Sequence, residues 1–167
     1  MAIVCTTRVF AVDVEQVPLA DGRTHEIATI RHAPCVVLIP VLDDGRVVLI
    51  RQYRHSVKQV LWEFPAGSID PGEAPDAAAM RECEEETKLA PSRVERLASM
   101  FPAPGYCDEE MIYFKATGLH APAPDSTHAP DDDEDISVHP TTIAEARAML
   151  ARGDIVDLKT AYALMLL

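Results

Sequence analysis

With 167 residues, 48% of them hydrophobic and 25% charged, the chain has the length of one domain able to bury a core of its own. Its 27 acidic against 15 basic residues leave a formal charge of -12, which argues against a nucleic-acid or anionic-membrane binder and requires that any anionic ligand be held by local cations or by bound metal. The four cysteines form no CxxC pair and no apolar run has membrane-spanning length, so the expectation is a cytoplasmic protein with reduced thiols and no membrane partner.

Along the chain, "RVFAVDVEQVPL" and "THEIATIRH" are rich in β-branched residues around the turn "ADGR", which predicts an opening antiparallel hairpin over residues 1–32. "PCVVLIPVL" and "RVVLIRQYR" flank "DDGR", the strongest hairpin signal present. "WEFPAGSIDPGE" reads as a Pro- and Gly-rich loop, and residues 75–88 as a helix with Pro75 in its first turn. "RVERLASMF" and "EEMIYFKATGL" read as strands around the turn "PAPGYCD". "HAPAPDSTHAPDDDED" is acidic and proline-rich, with little to bury, and reads as a loop or lid. Two helices close the chain, the first capped by Thr141 or Thr142 and stopped at Gly153, the second in "DLKTAYALMLL". Strands first, one central helix and helices last predict an α/β (α+β) layered domain with a mixed β-sheet.

The central helix carries the chemistry. At 100° per residue, Glu86 lies about 40° and Glu85 about 60° from Glu82, so three carboxylates share one face. Glu84 falls nearly opposite, where Lys88 follows at i+4 as an ordinary solvated pair. Clustered anions repel unless a cation sits among them, and a hard divalent metal with oxygen ligands meets that need. A solvated helix face explains the spacing at least as well, so the flanking residues have to decide.

They supply a Gly, five residues, a Glu, seven residues, then Arg-Glu-apolar-any-Glu-Glu and a closing apolar residue: Gly67, Glu73, Arg81, Glu82, Cys83, Glu85, Glu86 and Leu89. This pattern resembles the box of the Nudix hydrolases. It departs at Lys88, where the family has glycine at the helix exit, so a differently shaped exit is expected. "VVLIRQYRHSV", "WEFPAGSIDPGE", "PAPGYCDEEMIYFKA" and "GDIVDLKTAYAL" are similar to the branch that cleaves ADP-ribose and nucleoside-diphosphate sugars, and Pro104 stands fifteen residues past Leu89, where that branch carries its proline.

The resemblance implies a single domain over residues 1–167, a Nudix-type α/β/α sandwich whose N-terminal hairpin serves as a dimer arm. It implies hydrolysis of ADP-ribose to AMP and ribose 5-phosphate by a homodimer with two or more magnesium ions per site, manganese substituting. GDP-mannose or another nucleotide sugar is the alternative substrate, and a non-catalytic ADP-ribose sensor the alternative class. By position, Glu82, Glu86, Glu85 and the Ala66 carbonyl become metal ligands, with Glu85 also able to orient water. Arg81 becomes an organiser of the carboxylates, and Glu73 either steadies the box or is a helix-start acid favoured by the dipole. Arg51 and Arg54 become diphosphate cations; three positions apart they need not share a face if the strand is regular, while at a strand end the geometry loosens. Trp62 and Tyr53 are candidates to stack on base or ribose, Glu63 to bind substrate, and Pro104 with Gly105 to face the terminal ribose. Glu134 and Glu109 compete for general base. The histidines, including His55 and His139, read as structural.

Overall fold

The computed structural model describes residues 2–126, 128 and 135–167. An N-terminal sheet holds β1 (Ala2–Thr6), β2 (Phe10–Pro18) and β3 (Thr24–His32) in the order β1-β2-β3, all antiparallel. The expected hairpin is β2 and β3. The additional strand is "AIVCT", which pairs with β2 across a bulge between Ile3 and Cys5. The sheet joins the body where the Ile30 amide donates to the Tyr106 carbonyl and the Asp108 amide to that of Ile30.

Two further sheets follow. Strands β4 (Cys35–Pro40), β7 (Ala66–Ser68), β8 (Ala90–Met100) and β9 (Met111–His120) form a mixed sheet ordered β7-β4-β9-β8, with β4 and β9 parallel. Strands β5 (Val47–Arg54), β6 (Gln59–Glu63) and β10 (Ile136–Thr141) form an antiparallel sheet ordered β10-β5-β6. The loop expected at "WEFPAGSIDPGE" therefore starts in the end of β6 and contains β7. A three-residue edge strand is too short to show alternation. β10 was likewise hidden within polar sequence, and its Pro140 is tolerated because β10 is an edge.

β4 explains the layering. Its six residues are all buried, and the four from Val36 to Ile39 alternate between two cores. Val36 and Leu38 pack with Ala78, Ala79 and Cys83 of α1 (Pro75–Thr87), while Val37 and Ile39 pack with Met149 of α2 (Ile143–Arg152) and Leu164 of α3 (Leu158–Met165). A strand covered on both faces reads as a continuous apolar run, as "CVVLIP" does. Each such side chain contributes about 1.5–3 kcal/mol by burial, so β4 is the spine joining the helical layers. Small alanines on α1 let it lie close to the sheet, which brings its glutamates within reach of β7.

Helix ends follow local chemistry. Thr142 Oγ1 accepts from the Glu145 amide, Gly153 ends α2 at φ 85°, and Asp157 caps α3 by accepting from the Thr160 amide. α1 begins with Pro75 at its first position and no side-chain cap. It ends at Lys88 with φ 60° and ψ 26°, the left-handed exit a glycine would take. The expectation of a different exit is thereby corrected: the exit is retained, and the backbone of a lysine bears it.

Candidate active site

The site is built where α1 crosses β7. Arg81 is its hub. Its Nε and Nη2 donate to Glu73 at 2.9 and 2.8 Å, Nη1 donates to Glu82 at 2.6 Å and to Glu85 at 2.8 Å, and Nη2 also reaches the Ser68 carbonyl at 3.0 Å. Glu73 pushes the guanidinium pKa up, and Arg81 in return holds the Glu73 carboxyl below its ordinary value. Glu73 also accepts from the Asp70 amide at 3.1 Å, so this acid ties the loop before α1 to the helix. Glu86 is buried and accepts from the Ala66 amide at 3.1 Å, pinning β7 to α1.

Gly67 makes that approach feasible. A Cβ there would lie 2.1 Å from the carboxylate of Glu82, so only glycine admits Glu82 to its station. Among the described residues no three His, Cys, Asp or Glu side chains stand together as a finished metal set. Glu82 and Glu85 nevertheless converge on a single cationic nitrogen of Arg81, and their all-oxygen chemistry suits a hard divalent cation. Glu84 is buried too, hydrogen-bonded by the Ser126 hydroxyl and 3.5 Å from His128 Nδ1. The solvated Glu84–Lys88 pair expected from spacing is corrected accordingly: the Lys88 ammonium donates to the Glu85 carbonyl.

A second polar group lies beside the first. Arg54 grips both oxygens of Glu63, Nε donating to Oε1 at 2.8 Å and Nη2 to Oε2 at 2.7 Å, and Lys159 Nζ donates to that same Oε2. Burial pushes the Glu63 carboxyl up, but Arg54 and Lys159 outweigh it and hold the group below the ordinary value.

Two cavities share a wall here. The larger, about 650 Å3, is lined by Arg8, Arg54, Ala66, Gly67, Arg81, Glu82 and Glu85 among others. The smaller, about 210 Å3, adds His32, Glu109 and Lys159 to the common wall of Arg54, Ala66, Gly67 and Ser68. Of the residues singled out from sequence, Ala66, Glu82, Glu85, Arg54 and Glu109 therefore converge. Glu109 stands 3.7 Å from His32 Nδ1.

Others lie elsewhere. Arg51 is on the opposite face of β5 from Arg54, stacked 5.0 Å over the ring of Trp62, which also meets His139 edge-on at 4.8 Å. Regular pairing of β5 with β6 enforces that separation. Arg51, Trp62, Tyr53, Pro104 and Gly105 line neither cavity. Glu63 lines neither cavity: it is 1% exposed, with its oxygens held by Arg54 and Lys159. Glu134 falls outside the described residues.

Sequence reasoning missed Arg8, His32 and Lys159. Arg8 arrives in the turn between β1 and β2, a tertiary placement with no local signal. His32 was set aside with the other histidines. Lys159 had a usable signal, since it follows the cap residue Asp157 and so starts α3 at a fixed orientation.

Comparison with known proteins places these features in context. The family described as NUDIX domain matches residues 31–160. The chain is 30% identical to an ADP-ribose pyrophosphatase of Bacillus subtilis (strain 168), over 92% of this chain and 82% of that protein. It is 34% identical to an ADP-ribose pyrophosphatase of Mycobacterium tuberculosis (strain ATCC 25618 / H37Rv), over 91% of this chain and 73% of that protein. A crystal structure of an ADP compounds hydrolase superposes with a TM-score of 0.84 at 25% identity, covering 99% of this chain and 88% of that one.

Proposed function

The chain belongs to the Nudix family of hydrolases, and we propose that it cleaves the diphosphate of ADP-ribose to AMP and ribose 5-phosphate. The observation that carries this reading is one cleft in which Arg54 and Arg8 face the box carboxylates Glu82 and Glu85. In a protein of charge -12, paired guanidinium groups at a cleft are the natural receptors for a diphosphate. Relatives named for ADP-ribose support the substrate.

Hydrolysis adds water across the P–O–P bridge. The water oxygen bonds to one phosphorus, the bridging oxygen leaves with the other, and the water proton passes to a nearby carboxylate. Glu85 and Glu109 each line a cavity that could present such a base, whereas Glu134 has no described position. Arg54 neutralises the bridging diphosphate and aligns it; Arg81 and Glu73 keep the carboxylates from scattering. Family membership implies a divalent cation, magnesium or manganese, which Glu82, Glu85, Glu86 and the Ala66 carbonyl would hold and which would polarise the phosphoryl group.

The chain works as a homodimer in this reading, with the N-terminal sheet as the arm. Ile3 and Val4 on its edge strand are 70% and 67% exposed, a surface that favours covering. No helix among the described residues is long and apolar enough to cross a membrane.

Product analysis tests the reading: ADP-ribose, GDP-mannose and dGTP, each with magnesium and with chelator, using wild type and Glu85→Gln. AMP and ribose 5-phosphate formed with magnesium alone, and lost in the variant, are expected. Preference for GDP-mannose would move the substrate; binding without turnover of any compound would make the protein a sensor.

A further inference from the structure

The cation Arg54 does not stand alone at the cleft wall. It is the end of a chain of contacts that starts at the cap of α3. Asp157 caps that helix, accepting from the Thr160 amide at 3.0 Å, and also binds the Lys159 ammonium at 3.1 Å. The next residue, Thr160, is fully buried and accepts a 2.8 Å hydrogen bond from the Phe64 amide, which locks the start of α3 against the residue after Glu63. Lys159 and Glu63 are thus held side by side from both backbones. Lys159 is 10% exposed and Glu63 1%, and their contact is direct.

We infer that Lys159 is a positioning residue for Arg54: by holding Glu63 Oε2, the oxygen that Arg54 Nη2 also grips, it sets the orientation in which Glu63 presents Arg54 to the diphosphate. A carboxylate this buried needs more than one cation to stay charged, because desolvation favours its protonated form. With Arg54 as sole partner, Glu63 would either accept a proton and slacken its two-pronged grip or draw Arg54 inward, away from substrate. Lys159 removes both options. It is also short of the larger cavity, lining only the smaller one, which separates its role from that of a cation touching the bridging phosphates. The proposal rests on the hydrolase reading above, and its test has one arm free of that reading.

In that arm, the Arg54 Nε–H resonance is followed by 15N NMR, assigned by its loss in Arg54→Lys. It should be protected from exchange in wild type, shifted and exchanging in Lys159→Met, and restored in Lys159→Arg. An unchanged resonance in a folded Lys159→Met protein overturns the proposal whatever the substrate proves to be. In the kinetic arm, Lys159→Met should raise KM for ADP-ribose tenfold or more with kcat within threefold, and Lys159→Arg should return KM to within threefold of wild type. Combined with Arg54→Gln, Lys159→Met should add nothing further to KM; multiplied penalties would show that Lys159 acts on substrate by itself and would overturn the positioning role. Lys159→Gln serves in place of the methionine variant if thermal melting shows that the latter fails to fold. Absence of turnover in wild type would sink the substrate reading alone, leaving the NMR arm to decide this one.

Discussion

The carboxylate of Glu82 fills the space a side chain at Gly67 would need, 2.1 Å from the missing Cβ. The glycine and the glutamate are fifteen positions apart in sequence and form one fitted pair. Gly67→Ala must expel Glu82 or move β7. Activity is expected to fall at least 100-fold in kcat/KM, with a stability loss of about 1–3 kcal/mol for overpacking. Kinetics on a variant shown to be folded check this; activity within threefold of wild type would mean Glu82 is not needed where it stands.

Lys88→Gly is expected to stabilise the protein. Lys88 carries φ 60°, which costs a side-chain-bearing residue about 1–2 kcal/mol, part of it offset by the entropy glycine loses on folding. A gain near 1 kcal/mol should raise the urea midpoint without changing the denaturant slope. No gain would mean that the Lys88 contact to the Glu85 carbonyl outweighs the strain.

The Glu63 cluster makes stability acid-sensitive. Its folded pKa lies below the ordinary 4.5, so its contribution is present above that value and disappears as pH falls through the depressed one. Glu63→Gln strands Arg54 and Lys159 against a neutral partner and should cost about 3–5 kcal/mol at pH 7. The gap between wild type and variant should narrow as the pH is lowered from 5 toward 3, read from urea midpoints. A gap constant across that window would disprove the ionised pairing.

Magnesium or manganese should raise the melting temperature, by a stabilisation of about 2.7 kcal/mol at one hundred times the dissociation constant. Glu82→Gln and Glu85→Gln should weaken the effect, and chelator should erase it. A melting temperature indifferent to either ion at millimolar levels, together with turnover in chelator, would dismiss the divalent-cation role.

Much of this architecture was legible beforehand because its signals are local. Alternation and turn residues announce β2 to β5, Pro75 and the alanines announce α1, and the box spacing alone brings Glu82, Glu85 and Glu86 to one face. What stayed hidden depends on distant partners. β7 is three residues that become a strand only because Val36 lies opposite Gly67. Glu63 is singled out by resemblance to a substrate-binding acid, and its burial follows from α3 arriving with Lys159. Whether Arg51 and Arg54 share a face in "RQYR" turns on how regular the strand is, and the regular pairing with β6 sends one to Trp62 and the other to the cleft.

The parallel pairing of β4 with β9, Cys35 beside Met111, joins segments with α1 and β8 between them. Such a contact closes a long stretch of chain before it returns any energy, which makes it slow to form. α1 rests on both strands through Leu38 and Phe114, so the helix that bears the box cannot settle until that closure is complete. Refolding should therefore restore helical signal first and turnover last, with enzymatic competence serving as a clock for the final step of assembly.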